Sequence, residues 1–382
     1  MQQLKRIAAM TVHVKQSKLG SGVQHNRKLV LKLLHQGGAQ SRPDLADTAG
    51  LSHSTLTGLV RDLIAENIVK PMGKRESNRV GKKQELLQIN PDLGWVVGAG
   101  VQERIISLIY MDAAGGVIDR DLLQFGGNPR LIPDLMKNRI EAWITRHGKP
   151  PGQLMGVGIG MPGVIDTDQN TVQQSTYYQV SDFPLGSMVA GALKAPVVLE
   201  NDANCATLAE SRLGSASDLD SFLLFVINAV ERDRDYAVRS FGFSLFLEGR
   251  LFRGPHYAVG EINPPADVQH EPSDVITEED LIELAKPDGK LPGSLQPFVM
   301  RIAGTLADVV DLIDPQALIL AGNLNLRNQA VINAIETEVN QRIVKLRNRF
   351  VRVRPTALMD QGICTGAALT LLEKALMGAV NN

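Results

Sequence analysis

Residues 41–65 read SRPDLADTAGLSHSTLTGLVRDLIA, and the spacing within this stretch decides the fold of the N-terminal part of the chain. Ala46, Gly50 and Leu56 follow one another at intervals of four and six positions, which is the pattern of a helix-turn-helix. In that pattern a small residue lets two helices approach, glycine permits the turn, and an apolar residue fixes the second helix. We therefore expect two short helices joined at Gly50.

The starts of these helices are also marked in the sequence. Ser41 is a candidate N-cap of the first helix, with Pro43 in its first turn, and Ser52 is the candidate N-cap of the second. The apolar residues of the second helix recur at the spacing of one buried stripe: Leu56, Leu59, Val60, Leu63 and Ile64. A further helix is expected upstream, from about Gln24 to His35, with two glycines as its stop.

The face of the second helix opposite its apolar stripe carries short polar side chains and one arginine. Such side chains suit contact with base edges and phosphates of DNA. The candidate DNA-contacting residues are Ser52, His53, Ser54, Thr55, Thr57 and Arg61. The alternative interpretation is a small helical bundle whose polar face is simply solvated.

Residues 68–90, IVKPMGKRESNRVGKKQELLQIN, place a basic loop between two β-prone arms. Joined to the two helices, this arrangement resembles a winged helix-turn-helix, in which the wing contacts phosphates or the minor groove. The candidate contacts in the wing are Lys74, Arg75, Arg79, Lys82 and Lys83. A solvated charged loop is the alternative. We expect residues 1–90 to form a DNA-binding domain.

The distribution of charge favours the same division of the chain. Residues 1–90 contain 15 Lys and Arg against 6 Asp and Glu, whereas the remainder contains 25 against 35, although the formal net charge is only −1. A basic head on an acidic body is typical of a nucleic-acid reader attached to a sensor of an uncharged ligand. An uneven surface without functional consequence is the alternative.

The composition limits the remaining classes of protein. Only two cysteines are present among 382 residues, far apart in the chain, so neither a disulfide framework nor a cysteine-based zinc site is expected. The N-terminal residues lack the continuous apolar segment of a signal peptide, and no apolar stretch reaches the roughly 20 residues that span a bilayer. We expect a cytoplasmic protein with no membrane partner.

From Trp95 onward the pattern changes to alternating β-type runs followed by helix-like segments. WVVGAGV, RIISLIYMD and GVID predict successive antiparallel strands, and LMGVGIGMPGVID predicts one further strand over residues 154–166. The last third predicts helix, strand, helix, strand and helix over residues 296–312, 317–321, 331–346, 351–358 and 362–377. Mixed sheets flanked by helices, occurring twice, indicate an α/β body of two lobes with a cleft, over residues 95–382.

Six short motifs of this body occur in an order that resembles one known family: MPGVID, LENDANCATLAE, LEGRLFRG, AVGEI, IDPQALILAGNL and GICTGAAL. The chain resembles the ROK family of sugar kinases and sugar-responsive repressors, over about residues 95–380. The fused winged head is similar to the repressor branch, which includes xylose, glucose and N-acetylglucosamine repressors. The resemblance implies an actin-like, hexokinase-like (ribonuclease H-like) fold of two lobes.

The stretches that would bind ATP in a ROK kinase depart from the family pattern. Gly100-Val101-Gln102-Glu103-Arg104 lacks the acidic residue and the glycines of the phosphate loop, and a glutamate there repels phosphate. AVERDRDYAVRS, residues 229–240, has no glycine where the family has a glycine-rich loop. The adenosine-side glycine pair is reduced to Ala321-Gly322-Asn323. We therefore expect no phosphoryl transfer, no catalytic residue and no cofactor.

The motif LENDANCATLAE contains Asp202, which by the resemblance matches the residue that accepts the proton in a ROK kinase. Without a phosphoryl donor, we expect its carboxylate to hold a sugar hydroxyl instead. The resemblance implies the ligand-contacting set Pro162, Gly163, Asn201, Asp202, Glu261 and Asn263. The alternative is that Asn201 or Asp202 only caps the following helix. Asn263 also stands where the family has a zinc-binding histidine, with no cysteine nearby, so we expect no metal.

These observations predict a DNA-binding transcriptional regulator, most simply a repressor of sugar-related genes, controlled by a ligand in the cleft. The expected partners are a double-stranded DNA operator, a sugar or sugar phosphate, and a second copy of the chain in a homodimer or higher homo-oligomer. Two alternatives remain: an ATP-dependent sugar kinase with a fused DNA-binding head, and a regulator controlled by a protein partner.

Overall fold

The computed structural model of the protein describes residues 21–74, 84–232, 235–261, 275–286, 289–322 and 328–378. The chain divides into two compact units. Unit 1 comprises residues 1–200 and 364–382, and unit 2 comprises residues 201–363. A separate domain over residues 1–90 stays a prediction, because these residues belong to unit 1.

The N-terminal part of unit 1, residues 21–90 and here called the head, contains three helices and a three-stranded antiparallel sheet of order β1-β3-β2. The elements are α1 (Ser21–Gly37), β1 (Gln40–Ser41), α2 (Arg42–Ala49), α3 (His53–Ala65), β2 (Val69–Lys74) and β3 (Glu85–Ile89). The helix-turn-helix and the two arms of the wing are therefore present where the sequence predicts them.

The turn of the helix-turn-helix has the expected local causes. The Ser41 hydroxyl accepts a hydrogen bond from the Asp44 amide at 3.3 Å and so caps α2. Gly50 ends α2 in the left-handed conformation with φ of 63°, which favours glycine. Leu56, Val60 and Leu63 are fully buried, as the stripe predicts, whereas Leu59 and Ile64 are half-buried and pack at its edge.

The larger part of unit 1 is a five-stranded sheet of order β11-β7-β4-β5-β6. Its strands and the helices that pack with them are β4 (Trp95–Val101), β5 (Ile105–Asp112), β6 (Val117–Gln124), α4 (Ile132–His147), β7 (Leu154–Met161), α5 (Leu185–Leu193), β11 (Val197–Asn201) and α10 (Gly362–Leu376). Strands β4, β5 and β6 are antiparallel, as predicted, and β7 runs parallel to β4.

The single strand expected over residues 154–166 is wrong, because β7 ends at Met161. Pro162 has no amide hydrogen to donate to a neighbouring strand. The backbone of Gly163 has a φ of 130°, which residues with a side chain rarely adopt. The chain turns there into a separate antiparallel sheet of β8 (Val164–Asp166), β9 (Thr171–Ser175) and β10 (Val180–Phe183).

Helix α10 packs unusually close to the sheet of unit 1. A Cβ atom at Gly98 on β4 would overlap the carbonyl oxygen of Cys364, and one at Gly158 on β7 would overlap that of Ala367. The two glycines therefore permit contact between the backbone of the helix and the sheet. Beyond them, the apolar side chains of α10, with Leu371 and Leu372 fully buried, belong to one apolar cluster that includes the core of the head.

Unit 2 is built on a sheet of order β14-β13-β12-β16-β17, to which β15 adds along β13. Its elements are α6 (Asp202–Leu213), β12 (Phe222–Arg232), β13 (Asp235–Leu247), β14 (Arg250–Phe252), β15 (Val275–Ile276), α7 (Glu278–Ala285), α8 (Gln296–Ile313), β16 (Ala317–Gly322), α9 (Gln329–Arg342) and β17 (Arg352–Pro355).

Two elements of unit 2 are shorter than the sequence predicts. Helix α9 ends at Arg342 rather than at residue 346, and the amide of Val344 donates instead to the Asp311 carboxylate, 3.1 Å away on α8. Strand β17 ends at Pro355 rather than at residue 358. The amides of Ala357 and Leu358 donate to Glu210 at 2.9 and 3.0 Å instead of continuing a ladder.

Candidate functional site

All six predicted DNA-contacting residues of the helix-turn-helix are exposed, at the N-cap and along the first three turns of α3. At the N-cap, the Ser52 hydroxyl accepts a bond from the Thr55 amide at 3.1 Å. The same oxygen lies 2.9 Å from the Ser54 hydroxyl and 2.8 Å from that of Thr55. The Ser52 hydroxyl thus links the other two and stiffens the N-terminal end of α3.

The next turns of α3 carry two further candidates. The Thr57 hydroxyl donates to the carbonyl oxygen of His53 at 2.7 Å, so it bonds back along the helix. Arg61 donates through Nε and Nη2 to one carboxylate oxygen of Asp62, at 3.2 and 3.1 Å. With 79% of the Arg61 side chain exposed, this ion pair is weak and leaves the guanidinium available to a phosphate.

Two ion pairs hold helix α3 and the wing to the rest of the head. Arg27 on α1 pairs with Glu66, the residue that caps the C-terminus of α3. Arg42, the first residue of α2, donates to Glu85 on β3 at 2.7 Å. The wing itself is the antiparallel pair β2 and β3, with Val69 opposite Ile89.

The tip of the predicted wing falls outside the described residues. Arg75, Arg79, Lys82 and Lys83 lie between residues 74 and 84, and of Lys74 only the backbone is described, as the last residue of β2. Their contact with DNA stays a prediction.

The predicted ligand residues Asn201 and Asp202 lie at the start of α6, and the structure separates their roles. Asn201 is the N-cap, with extended backbone, and its side-chain oxygen accepts a hydrogen bond from the Asn204 amide at 3.1 Å. Asp202 is the first residue of the helix, and its carboxylate accepts hydrogen bonds from backbone amides, that of Ala203 at 2.8 Å and its own. Capping by Asn201 thus leaves Asp202 available for a ligand.

Burial is the main reason why the pKa of Asp202 rises to about 6. The hydrogen bond from Ala203 opposes this shift, while the negative charge of Glu261 adds to it. Removal from water also raises the pKa of Glu261. Both carboxyl groups are thus harder to ionise than in water, and hydrogen bonds donated to both by a ligand, such as a polyhydroxy compound, would stabilise their ionised forms.

Glu261 is held by its backbone against strand β13. It forms a β-bridge with Gly242, and the Phe243 amide donates to the carbonyl oxygen of Gly260 at 3.1 Å. Gly260 has a φ of 87°, and a Cβ atom there would overlap the carbonyl oxygen of Phe243. Glycine at 260 is therefore required to bring the Glu261 backbone onto the strand.

The other predicted ligand residues are placed as follows. Pro162 and Gly163 belong to unit 1, where the Ser175 hydroxyl donates to the Pro162 carbonyl oxygen at 2.8 Å. Asn201, Asp202 and Glu261 belong to unit 2, where Glu261 lies close enough to Asp202 for its negative charge to raise the pKa of that carboxyl group. Asn263 lies outside the described residues.

The first of the three stretches that the resemblance assigns to ATP binding in a kinase closes a turn between β4 and β5. The Gln102 amide donates to the Ile105 carbonyl oxygen at 2.9 Å, and the Tyr178 hydroxyl donates to the Gln102 carbonyl oxygen at 2.8 Å. The Arg104 carbonyl oxygen accepts from the Phe125 amide at 2.8 Å. A cradle for phosphate needs several backbone amides that point at the ligand, and the Gln102 amide is already engaged.

In the second segment, residues 229–232 and 235–240 belong to two long antiparallel strands, a pairing that the sequence does not predict. Strand β12 continues past residue 228, and its pairing with β13 runs from Phe222–Phe246 to Arg232–Asp235, with one bulge at Asn228–Ala229. The third segment contains Gly322, where a Cβ atom would overlap the Ile227 carbonyl oxygen. This glycine thus permits close approach of β16 to β12.

A buried carboxylate at the far end of α6 was missed. Glu210 is fully buried and accepts from the Thr356 hydroxyl at 2.5 Å and the Ser215 amide at 2.6 Å, besides the two amides described above. It thereby ties α6 to the segment after β17. Glutamate on the inner face of a helix is the available signal, but the donors from Thr356, Ala357 and Leu358 lie 146 to 148 residues away in the chain.

Two other kinds of site are not found among the residues that the structure describes. No group of three His, Cys, Asp or Glu side chains lies close enough together there to hold a metal ion. No helix in the same ranges combines the length and the apolar character needed to cross a membrane.

Comparison with known proteins gives consistent findings. A sequence model of the ROK family matches residues 105–263 and 266–374. The chain is 26% identical over 383 residues to the xylose repressor of Bacillus spizizenii, an alignment that covers 92% of this chain and 96% of that protein.

Two solved structures share the fold. A ROK family transcriptional regulator, described as a homolog of the E. coli MLC protein, superposes with a TM-score of 0.72 at 20% identity, covering 94% of this chain and 97% of that one. A ROK family glucokinase from Streptomyces griseus, in complex with glucose and AMPPNP, superposes with a TM-score of 0.57 at 18% identity, covering 72% and 98%. The likeness to the regulator thus extends over more of the chain.

Proposed function

The chain belongs to the ROK family, and from that membership we propose that it is a cytoplasmic DNA-binding repressor of sugar-related genes that acts as a homodimer. The observation that carries the proposal is the exposed polar face of α3, here called the reading face, which is formed by Ser52, His53, Ser54, Thr55, Thr57 and Arg61. A capped helix with six exposed polar or basic residues follows a glycine turn and precedes a paired two-stranded wing. The repressor function named for the Bacillus spizizenii relative, which aligns over nearly its whole length, supports the same assignment.

As a homodimer, the protein would present two α3 helices to a palindromic operator, with half-sites about 34–36 Å apart, one turn of DNA. The basic wing would add phosphate contacts beside each half-site. Binding should therefore weaken steeply as salt rises, because each phosphate contact releases counterions.

The test is selection of duplexes from a random pool by the full chain, followed by salt titration of the enriched sequence. His53→Glu places a negative charge on the reading face at the first position of α3, where the helix dipole tolerates it. Gln296→Glu makes a like substitution at the exposed first position of α8 and serves as the matched control. We expect loss of binding in the first variant only. A wild-type chain that enriches no sequence overturns the proposal.

We further propose that the chain does not transfer phosphate. The closed turn at Gln102, the β-ladder in place of the glycine-rich loop and the packing role of Gly322 all support this view. ADP release from ATP with D-xylose or D-glucose should stay at background. ADP release that exceeds background and disappears in Asp202→Asn would establish the kinase alternative.

For the ligand, we propose that Asp202 and Glu261 bind hydroxyl groups of a sugar or sugar phosphate. The relative named for xylose makes D-xylose the first compound to test. A ligand at 100 times its Kd adds about 2.7 kcal/mol of stability, so a thermal-shift screen detects it. Asp202→Asn should abolish the shift while DNA binding persists. If no sugar stabilises the chain, the alternative of control by a protein partner is favoured. That result does not test the DNA-binding proposal, which the duplex selection tests by itself.

A further inference from the structure

The hydroxyl groups on the reading face of α3 are largely used within the protein. The Thr57 hydroxyl donates to the His53 carbonyl oxygen at 2.7 Å, and the hydroxyls of Ser54 and Thr55 lie 2.9 and 2.8 Å from that of Ser52. The hydroxyl hydrogen of Thr57 is thus engaged with the helix backbone. This exposed residue therefore offers a partner its γ-methyl group and, from the hydroxyl, only the capacity to accept a hydrogen bond.

The surface beside that methyl group is open. Gly58 follows Thr57, and a Cβ atom built there would meet no heavy atom within 4 Å in the described part of the chain. A small apolar group of a partner can therefore approach α3 next to Thr57 without meeting a side chain at position 58.

Polar readout of bases has few candidates on this helix. Residues 53–65 contain no Asn, Gln or Lys, the side chains that, with Arg, make paired hydrogen bonds to adenine or guanine. The single arginine, Arg61, lies in the third turn of the helix. The composition and the hydrogen bonds of α3 thus favour apolar recognition in its first two turns.

We propose that Thr57 determines sequence specificity by contact between its γ-methyl group and the 5-methyl group of thymine in the major groove. Thymine is the one DNA base that presents a methyl group there, so this contact distinguishes a T·A pair from the other three. The inference rests on the proposed DNA-binding function and specifies what part of the operator α3 recognises.

The contact is tested by removing one methyl group at a time from either side. In the duplex enriched by the wild-type chain, each thymine is replaced in turn by deoxyuridine, which lacks the 5-methyl group and keeps every hydrogen-bonding group. In the protein, Thr57→Ser keeps the hydroxyl that bonds to His53 and removes the γ-methyl. Thr48→Ser is the matched control, because the Thr48 hydroxyl makes the same bond, to the Asp44 carbonyl oxygen at 2.8 Å, on α2.

We expect deoxyuridine at one thymine of a half-site to weaken wild-type binding about fourfold, the effect of burying one methyl-sized group. Thr57→Ser should bind the thymine and deoxyuridine duplexes equally, whereas Thr48→Ser should discriminate as the wild type does. Circular dichroism checks that both variants keep their helices.

Two results overturn the inference: a wild-type chain insensitive to deoxyuridine at every position, or a Thr57→Ser variant that still prefers thymine at the sensitive one. Either result leaves DNA binding itself intact. Failure of the wild-type chain to enrich any duplex overturns the proposed function instead, so the two failures are distinguishable.

Discussion

The Ser244 hydroxyl on β13 donates a 2.7 Å hydrogen bond to the side-chain oxygen of Asn204, in the first turn of α6. Both residues are buried. The bond fixes the N-terminus of α6, and with it Asp202, to the same strand whose Gly242 forms the bridge to Glu261. Strand β13 therefore positions both carboxyl groups of the candidate ligand site.

Ser244→Ala should lower the free energy of unfolding by about 1–3 kcal/mol, because it removes a donor from a buried amide oxygen. Ser187→Ala is the control, since the Ser187 hydroxyl donates at 3.0 Å in an exposed position and should change stability little. Urea denaturation of both variants measures the difference. Equal stability of the two variants would show that the buried bond contributes nothing beyond an exposed one.

Gly98→Ala should prevent stable folding, because the new Cβ would overlap the carbonyl oxygen of Cys364 and displace α10. Unfolding is followed through the fluorescence of Trp95 and Trp143, both buried in unit 1 with ring centroids 5.1 Å apart. The control is Gly304→Ala in α8, where a Cβ meets no described heavy atom within 4 Å and where alanine should stabilise the helix by about 0.5–1 kcal/mol. A Gly98→Ala variant as stable as the wild type would contradict the close packing.

Glu210→Gln should destabilise unit 2 by about 1.5–3 kcal/mol, since hydrogen bonds to a charged acceptor are the stronger ones. The variant also turns an N–H group toward donors from Ser215, Thr356, Ala357 and Leu358. Glu248→Gln, with 83% of its side chain exposed and its Arg250 pair at 3.7 Å, is the control and should cost little. Thermal unfolding distinguishes the two. If Glu210→Gln melts at the wild-type temperature, the buried network has no energetic role.

The head could be predicted from sequence because its determinants are local. Ser41, Gly50 and Ser52 mark helix ends through contacts within a few residues, and each lies where the pattern predicts. By contrast, β17 ends where it does because Glu210, which is distant in the chain, accepts hydrogen bonds from the amides that follow the strand. The alternation of apolar and polar residues cannot reveal a hydrogen-bond partner so far away in the sequence.

The candidate ligand site was only partly predictable for a similar reason. Asn201 and Asp202 are equally good N-cap residues by type, and only the backbone conformation decides between them. The pairing of β12 with β13 beyond residue 228 is not predictable from the sequence, because residues 229–240 are rich in charged side chains and contain no glycine or proline to mark a turn.

The raised pKa of Asp202 predicts a pH-dependent effect on stability. Its value of about 6 in the folded protein lies above the ordinary value of 3.8 in an unfolded chain. Between about pH 4 and 6 the folded state therefore retains a proton that the unfolded state releases, and stability falls as pH rises through this window. The cost is complete above pH 6 and absent below about pH 4.

Asp202→Asn removes that cost and keeps an oxygen for the Ala203 amide. We expect the variant to exceed the wild type in free energy of unfolding at pH 7 by up to about 2–3 kcal/mol, and the gap to close as pH falls to 4. Urea denaturation at four pH values measures this difference in free energy of unfolding. The titrating groups that both proteins share contribute equally to each, so their effects cancel in the difference. Glu261→Gln removes the like charge that raises the pKa of Asp202, so the same gap measured in that background should shrink. A gap that stays constant across pH 4–7 would mean that Asp202 titrates as an ordinary surface carboxylate.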